Sequence, residues 1–330
     1  MNDKEIKLLQ QKIETTHENI TGIIVQKNTQ MIYEQYFNGC DEASKIHVYS
    51  IAKSVLSLLL GIAHDDGSID HLNRPLMDYF PEYQPKDPAL KNITLNNLLT
   101  MTTPYKYKSG PLTYIRYFMS KDWVKFTLKK IGGHQPIGEF NYTPLIGPDL
   151  LSAILARSTN QSTLEFAREK LFEPLEIDIE KTIHLKSAKD QMAFNQSTTS
   201  NGWVADDTGL NAGGWGLTFS TRDMIKLGEL ILNNGIWNDQ QIVPKSWLEA
   251  MQKKHSHWDQ EDLDYGYLWW IVDPSKPIIA AMGDGGNIIY IDHEQKLVVA
   301  ITAFFKENVF DRIDFIQQEI LPLIKKNQAV

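Results

Sequence analysis

The 330-residue chain has a single cysteine, Cys40, and this scarcity limits what can stabilise the fold. One cysteine cannot form an intramolecular disulfide, so the chain suits a reducing compartment or is indifferent to redox conditions. Long apolar runs are also missing. The longest, Val55 to Ala63, is far shorter than the roughly 20 residues that a membrane-spanning helix needs. These absences exclude a disulfide-stabilised fold and predict that no segment spans a membrane.

Positive charge is also in short supply, since 33 lysines and arginines are set against 41 aspartates and glutamates. The formal net charge of −8 argues against a nucleic-acid partner, because binding phosphates requires a basic surface. The first residues, MNDKEIKLLQQKIE, lack the apolar centre of a secretory signal. We therefore expect a cytoplasmic protein, although a chain whose signal had been removed would look the same.

Strand-like segments stand at both ends of the chain, and helical segments fill the middle. The strands are predicted at residues 22–26, 31–37, 277–282, 288–292 and 297–304, with a hairpin turn at Asn28-Thr29. This order predicts an α/β (α+β) fold in which one antiparallel sheet is built from both chain termini and flanked by helices, with an inserted helical subdomain. Within this single domain we expect 1–60 plus 266–330 to contain the sheet and 61–265 to be mainly helical.

One stretch combines a nucleophile with a base. Ser50 and Lys53 are three positions apart, so a helix that begins at Ser50 places both on one face. The following helix, residues 50–64, is apolar nearly all round and is predicted to be buried. Burial favours the neutral form of a lysine, which can take a proton from a serine hydroxyl. The alternative is a helix-capping serine and a surface lysine, because this spacing is expected about once by chance in such a chain.

Other patterns typical of nucleophilic or metal-dependent enzymes are missing from the sequence. There is no Gly-x-Ser-x-Gly, no His-Glu-x-x-His and no Walker-type phosphate loop. His255-Ser256-His257 lies among polar residues and is predicted to be a solvated loop rather than a metal site. Ser50 is the one serine followed by lysine at the third position, so the pair has no rival. We expect no metal and no cofactor.

Several segments, in a fixed order, resemble the serine β-lactamase and penicillin-binding-protein superfamily, on the side of the class C enzymes and their esterase and amidase relatives. The matching segments are YSIAKS at 49–54, NYTP at 141–144, LFEPL at 171–175, AGGWGL at 212–217 and GDGGN at 283–287. YGY at 265–267 with WW at 269–270 is similar to the small-ester and short-amide hydrolases, including family VIII esterases and nylon-oligomer hydrolases. The resemblance implies a β-lactamase/transpeptidase-like fold.

The resemblance also implies a role for each matched residue. Ser50 is the acylated nucleophile, Lys53 its base or proton relay, and Tyr142 a second proton-transfer group whose pKa nearby positive charge can lower. The N–H groups of Ser50 and Asp284 would form the oxyanion hole at a sheet-edge strand. Substrate-binding positions are implied for Gly283, Gly285, Trp215 and Tyr105. The alternative interpretations are a structural tyrosine, a plain hairpin turn and aromatic core residues.

Two departures from the family pattern bear on the substrate. Pro144 replaces the asparagine of Tyr-x-Asn, and Ala281-Met282-Gly283 replaces Lys-Thr-Gly or His-Thr-Gly, removing the cation that commonly recognises a substrate carboxylate. The sequence therefore predicts a serine hydrolase that cleaves small-molecule esters or short amides through an acyl-enzyme on Ser50. The alternatives are a D-alanyl-D-alanine peptidase or β-lactamase, a non-catalytic ligand-binding relative, and a coincidental Ser50/Lys53 pair. The sequence gives neither the natural substrate nor the oligomeric state.

Overall fold

The structure is a computed structural model that describes residues 3–85, 87–107, 110–309 and 311–326. Its strands, in chain order, are β1 (Ile20–Lys27), β2 (Gln30–Tyr36), β3 (Ile46–His47), β4 (Lys181–Ile183), β5 (Gly202–Val204), β6 (Thr218–Phe219), β7 (Ile236–Trp237), β8 (Gln240–Gln241), β9 (Ser256–Trp258), β10 (Leu263–Tyr265), β11 (Trp270–Asp273), β12 (Ile278–Gly283), β13 (Asn287–Asp292) and β14 (Leu297–Ala303). Eight of them form one antiparallel sheet in the order β2-β1-β14-β13-β12-β11-β10-β9.

Helices cover both faces of this sheet and build the part of the chain between β2 and β9. They are α1 (Asp3–Thr16), α2 (Ile51–Asp65), α3 (Leu76–Tyr79), α4 (Leu95–Leu99), α5 (Pro111–Phe118), α6 (Trp123–Leu128), α7 (Pro148–Thr159), α8 (Thr163–Ala167), α9 (Ala188–Gln196), α10 (Thr221–Leu232), α11 (Lys245–Met251), α12 (Arg312–Phe315) and α13 (Leu321–Lys326). Wider turns extend α8 through Arg168–Phe172 and join α12 to α13 through Ile316–Ile320. None of the described helices combines the length and the apolar character needed to cross a membrane.

The two ends of the chain meet in the centre of the sheet. β1 pairs with β14 in antiparallel register, with Ile23 opposite Ile301. The β1–β2 hairpin turns at Asn28 and Thr29, both of which have positive φ (49° and 64°), as a tight two-residue hairpin requires. The prediction of one antiparallel sheet assembled from both termini is therefore confirmed.

The side chains of β1 alternate between two apolar layers, which is why its sequence is apolar almost throughout. Ile23 and Val25 pack in one cluster with Ile13 of α1 and Phe315 of α12. Ile24 belongs to the larger cluster on the opposite face, which contains α2 and α10. The terminal helices thus cover one face of the sheet, and the buried helix that carries Lys53 lies on the other.

Two predictions of local structure are wrong. The sheet-containing part begins at Ser256 rather than at residue 266, because β9 and β10 belong to the sheet although each has only three residues. Residues 105–117 mix tyrosine and lysine with Gly110 and Pro111, a composition that predicts an extended loop, but the helix α5 begins at Pro111. Proline at the first helical position has the φ that a helix needs and an N–H that would be unpaired there in any case. Residues 108–109 of this prediction lie outside the described residues.

Candidate active site

The structure brings Ser50 and Lys53 into direct contact. Ser50 immediately precedes α2, and Nζ of Lys53 lies 2.8 Å from Oγ of Ser50. Lys53 is only 1% exposed, and every residue from Ile51 to Ala63 is buried. The three-residue spacing therefore places the amine one helical turn above the hydroxyl, as predicted, and inside the protein rather than on its surface.

The other contacts of Lys53 indicate which of its protonation states can act on Ser50. Besides Ser50 Oγ, Nζ contacts the carbonyl oxygens of Pro144 at 2.8 Å and Gly214 at 3.1 Å. Carbonyl oxygens can only accept hydrogen bonds, whereas a hydroxyl can also donate one. A neutral amine that donates its two N–H groups to the carbonyls has its lone pair left for the Ser50 O–H. An ammonium would donate to all three oxygens instead, so the contacts accommodate both protonation states, and the neutral state is the one that can accept the Ser50 proton.

Burial lowers the pKa of Lys53 to about 7, because the charged ammonium loses its solvation in the interior. The carboxylates of Asp284 and Asp149 act in the opposite direction, with smaller effects. A lysine with this pKa is neutral in about half of the molecules at pH 7, whereas an exposed lysine is almost entirely charged. The environment therefore makes Lys53 available as a base at neutral pH.

The turn that leads into Ser50 is held in an unusual backbone conformation. Tyr49 has φ +50°, a region that bulky residues rarely adopt unless their surroundings impose it. Its ring lies 3.9 Å from that of His47, whose Nε2 accepts a hydrogen bond from the Gly216 N–H at 2.9 Å. Burial lowers the pKa of His47 to about 3, so this histidine is neutral and serves as an acceptor. The turn is thereby fixed to the same glycine segment that supplies the Gly214 carbonyl to Lys53.

Tyr142 lies beside the pair, but its ionisation differs from the prediction. The Lys53 Nζ is 5.1 Å from the centre of the Tyr142 ring, which also packs against Trp270 at 5.5 Å. Burial raises the pKa of Tyr142 above its ordinary value of 10, and this outweighs the lowering by its hydrogen bond with Ser50. The prediction of a lowered pKa is therefore wrong, because it ignored the desolvation of the ring's hydroxyl. Tyr142 keeps its proton at neutral pH.

A cleft opens beside Ser50 and Tyr142, and most of its wall comes from the C-terminal part of the chain. Its lining includes Trp258, Glu261 and Trp270 on one side and Met282, Asp284 and Ile313 on the other. Among the described residues, no cluster of three or more histidine, cysteine, aspartate or glutamate side chains could hold a metal ion. The cleft is thus mainly apolar and aromatic, with carboxylates near the reactive serine.

The end of β12 lies against the backbone at Ser50. β12 lies inside the sheet, not at its edge as predicted, but β11 pairs with it only as far as Ala280. β13 continues to pair with it to Gly283, so the last three residues of β12 have no β11 partner on their other side. A methyl group on Gly283 would lie 2.3 Å from the Val48 oxygen and 3.2 Å from the Ser50 nitrogen. Only glycine permits this close approach of the end of β12 to the backbone that precedes α2.

Three of the residues predicted to bind substrate do not line this cleft. Trp215 is 4% exposed in a separate apolar cluster, and its Nε1 donates to the Tyr117 hydroxyl at 3.1 Å. The Tyr105 hydroxyl packs against the backbone of Gly147. Gly285 is buried in the turn after β12. Gly283 does line the cleft, together with Ser50, Tyr142 and Asp284.

Sequence reasoning missed Trp258, Glu261 and Asp149. Trp258 and Glu261 belong to the short β9–β10 hairpin, which begins at Ser256, within the segment 255–257 for which the sequence predicts a solvated loop. Tryptophan in such a polar stretch is the available signal, because a solvated loop rarely needs one.

Asp149 is the only charged residue between Pro144 and Leu155 and is fully buried. A lone carboxylate in an apolar helix is a signal of a paired or functional group.

Comparison with known proteins agrees with this geometry. The model of the Beta-lactamase family matches residues 7–318. The 6-aminohexanoate-dimer hydrolase of Paenarthrobacter ureafaciens is 21% identical over 317 residues, which cover 88% of this chain and 74% of that protein.

Two solved structures share the fold. The octameric penicillin-binding protein homologue from Pyrococcus abyssi superposes with a TM-score of 0.73 at 18% identity, covering 97% of this chain and 77% of that one. EstCE1, a hydrolase with promiscuous acyltransferase activity, superposes with a TM-score of 0.70 at 15% identity, covering 94% of each chain. At such identities the superpositions support the fold alone, whereas the family match extends over nearly the whole sequence. The chain belongs to the Beta-lactamase family, a family with hydrolases among its members.

Proposed function

We propose that this protein is a serine hydrolase that cleaves small esters or short amides through an acyl-enzyme on Ser50. The observation that carries the proposal is the contact between Ser50 Oγ and the buried Lys53 Nζ, at 2.8 Å, with two carbonyl oxygens as the remaining partners of the amine. The hydrolase named for the 6-aminohexanoate dimer and the hydrolase EstCE1 support a reaction of this class.

Acylation would begin with proton transfer from Ser50 to the neutral Lys53. The serine oxygen then attacks the carbonyl carbon, and the electron pair of the C=O bond moves onto oxygen. The N–H groups of Ser50 and Asp284 are the proposed donors to this oxyanion, because Gly283 brings the end of β12 against the start of α2. Removing one such donor from an acyl-transfer enzyme costs about 10²–10³ in kcat.

Collapse of the tetrahedral intermediate requires a proton for the leaving oxygen or nitrogen. Tyr142 is protonated at neutral pH and interacts with Ser50, so it can donate its proton as the bond to the leaving group breaks. Lys53, now an ammonium, replaces the proton on Tyr142. In deacylation the neutral Lys53 takes a proton from water, directly or through Tyr142, and the resulting hydroxide adds to the acyl-ester carbonyl. The bond between Ser50 Oγ and the acyl carbon then breaks, Ser50 Oγ takes the proton back from Lys53, and the acid product leaves.

The wall of the cleft favours an uncharged or cationic substrate. Glu261 and Asp284 are acidic, and the tryptophans Trp258 and Trp270 present aromatic rings that attract cations. Arg312 also lines the cleft, but its guanidinium lies 3.2 Å from the Asp311 carboxylate and donates to His17 and to Asn19. A substrate carboxylate in this cleft would therefore lie near more negatively charged side chains than unpaired positively charged ones. This composition disfavours β-lactams and D-alanyl-D-alanine peptides, both of which carry a carboxylate.

The proposal is tested with the purified protein and p-nitrophenyl acetate. We expect Ser50→Ala to abolish hydrolysis and Lys53→Ala nearly to abolish it. Ser54→Ala is the matched control, since Ser54 lies on the same helix and its hydroxyl donates to the Leu268 carbonyl at 2.8 Å, away from Lys53. Full activity of a correctly folded Ser50→Ala protein would refute the mechanism.

Mass spectrometry after exposure to a fluorophosphonate and to a penicillin separates the alternatives. Labelling of Ser50 by the fluorophosphonate alone supports an ester or amide hydrolase. Penicillin adducts together with nitrocefin turnover near the ester rate would identify a β-lactamase or D-alanyl-D-alanine peptidase instead. A stable acyl adduct without turnover of any substrate would identify a non-catalytic relative.

A further inference from the structure

Asp149 is a fully buried carboxylate that the proposed reaction does not use. It is the second residue of α7 and is 0% exposed. Its Oδ1 accepts a hydrogen bond from the Gly213 N–H at 2.9 Å, and its Oδ2 accepts one from the Tyr117 hydroxyl at 2.8 Å. Burying a carboxylate is costly even when it is hydrogen-bonded, so its presence in an apolar helix calls for a specific role.

The bond to Gly213 connects Asp149 with the surroundings of Lys53. Gly214, the next residue, accepts a hydrogen bond from Lys53 Nζ at 3.1 Å. The second acceptor, Pro144, precedes Asp149 by five residues, so both carbonyls belong to segments that Asp149 joins. These segments lie in contact, since a methyl group on Gly213 would be 2.0 Å from the Pro148 oxygen. A shift of either segment would therefore move an acceptor of the Lys53 amine.

We propose that Asp149 is a positioning residue for Lys53: it fixes Gly213-Gly214 against residues 144–149, the two segments whose carbonyl oxygens hold the amine, and its carboxylate, when ionised, attracts the ammonium form. The proposal rests on the proposed function, since it assigns a second role beside the same lysine. It is distinct from that function, because Ser50 could transfer its proton to Lys53 whether or not Asp149 influences the position and charge state of the amine.

The charged and titratable groups around the two residues determine the sign of the effect. Lys53 faces Asp149 and Asp284, and both carboxylates favour its ammonium form. The Tyr117 hydroxyl and Lys53 stabilise the ionised form of Asp149, whereas the nearby Asp206 destabilises that form. Burial raises the pKa of Asp149 to about 7. Asp149 is therefore partly ionised near pH 7 and mostly protonated at pH 5, so removing its charge withdraws support from the Lys53 ammonium chiefly around neutral pH.

Two substitutions separate the charge from the hydrogen bond. Asp149→Asn keeps the volume and an oxygen that can accept from Gly213, but it removes the charge. Asp149→Ala removes the acceptor as well. For each protein the rate of Ser50 labelling by a fluorophosphonate and kcat/KM for p-nitrophenyl acetate are measured from pH 5 to 9. Asp223→Asn is the control, because Asp223 is also a buried, ion-paired carboxylate, held by Lys45 at 2.6 Å and remote from Lys53.

We expect Asp149→Asn to steepen the acidic limb of both profiles and to move its midpoint to lower pH by about 0.3 of a pH unit, because the variant has no carboxylate that loses its charge over the range in which Lys53 is protonated. Asp149→Ala should also lower the plateau about tenfold or more, because the Gly214 carbonyl is no longer held. The control should leave the limb in place. A merely structural role of Asp149 would lower stability without moving the limb.

An unchanged limb in a folded Asp149→Asn protein, with an unchanged plateau in Asp149→Ala, overturns the inference. If Asp149→Asn does not fold, Tyr117→Phe replaces it, since loss of the hydroxyl makes Asp149 easier to protonate and should shift the limb in the same direction by less. An unshifted limb in Tyr117→Phe then overturns the inference. Failure of the wild-type protein to be labelled at Ser50 would instead refute the proposed function.

Discussion

Acidification is expected to switch off hydrolysis by protonating Lys53. The pKa of this lysine is lowered to about 7 by burial, and only the neutral amine can take the proton of Ser50. Well below that pKa, each pH unit reduces the neutral fraction tenfold. We therefore expect kcat/KM to be about one-tenth of its plateau at pH 6 and about one-hundredth at pH 5.

The pKa values of the neighbouring groups support assigning this loss of activity at acidic pH to Lys53. The pKa of His47 is lowered to about 3, so this histidine does not change charge between pH 5 and 8. Tyr142 has a pKa raised above 10 and stays protonated over the same range. Asp149 titrates near pH 7, but it touches neither Ser50 nor the cleft lining, and its effect passes through Lys53.

The assay is initial-rate hydrolysis of p-nitrophenyl acetate from pH 5 to 9, corrected for spontaneous hydrolysis, with circular dichroism at each pH to show that the fold persists. Lys53→Arg is the control for the sign, since a guanidinium cannot lose its proton in this range. Its residual activity should not rise between pH 6 and 8. A wild-type profile that is flat, or that falls as the pH rises through 7, would refute the reasoning.

Three further measurements test separate parts of the structure. Tyr142→Phe should reduce kcat by a factor of about 10² or more, as expected for loss of a proton-transfer group. A variant with the wild-type rate would show that Tyr142 takes no part in the mechanism. The free energy of unfolding of the wild-type protein should gain about 2 kcal/mol from Lys53 between pH 7 and 9, because the folded protein binds the lysine proton more weakly than the unfolded chain does. Lys53→Met should abolish this gain, which urea unfolding at both pH values measures. An equal gain in the variant would contradict the lowered pKa of Lys53. Trp258→Ala should raise KM for aromatic esters while leaving the midpoint of the pH profile near 7, and a shifted midpoint would show that the cleft wall and the base are coupled.

The parts of the site that depend on local geometry could be predicted from the sequence. Ser50 and Lys53 meet because residues three apart share one face of any helix, and the apolar residues that follow require that helix to be buried. The hairpin at Asn28-Thr29 is local in the same sense. These features need no knowledge of the distant chain.

The parts that depend on tertiary neighbours could not be predicted in this way. The pKa of Tyr142 is raised because its hydroxyl is desolvated by elements that are remote in sequence, and the residue pattern around it carries no measure of that burial. β9 and β10 have three residues each, too few for an alternating pattern to stand out, and they become strands through pairing with the sheet. Trp258 therefore enters the cleft through pairing that no local rule predicts.

The division between local and tertiary features coincides with a division between chemistry and recognition. Lys53 is buried against the carbonyls of Pro144 and Gly214, and a methyl group on Gly214 would lie 2.8 Å from the Pro144 oxygen, so any shift of this backbone moves an acceptor of the amine. The recognition wall, in contrast, is formed by the short β9–β10 hairpin, the end of β12 and the segment before α12, whose side chains project into an open cleft. Substitutions in that wall cost little packing, so it can change with the substrate while the base and nucleophile stay fixed. The difference between Lys-Thr-Gly and Ala281-Met282-Gly283 fits this division, because it places Met282 in the wall and keeps the one glycine that the approach to Ser50 requires.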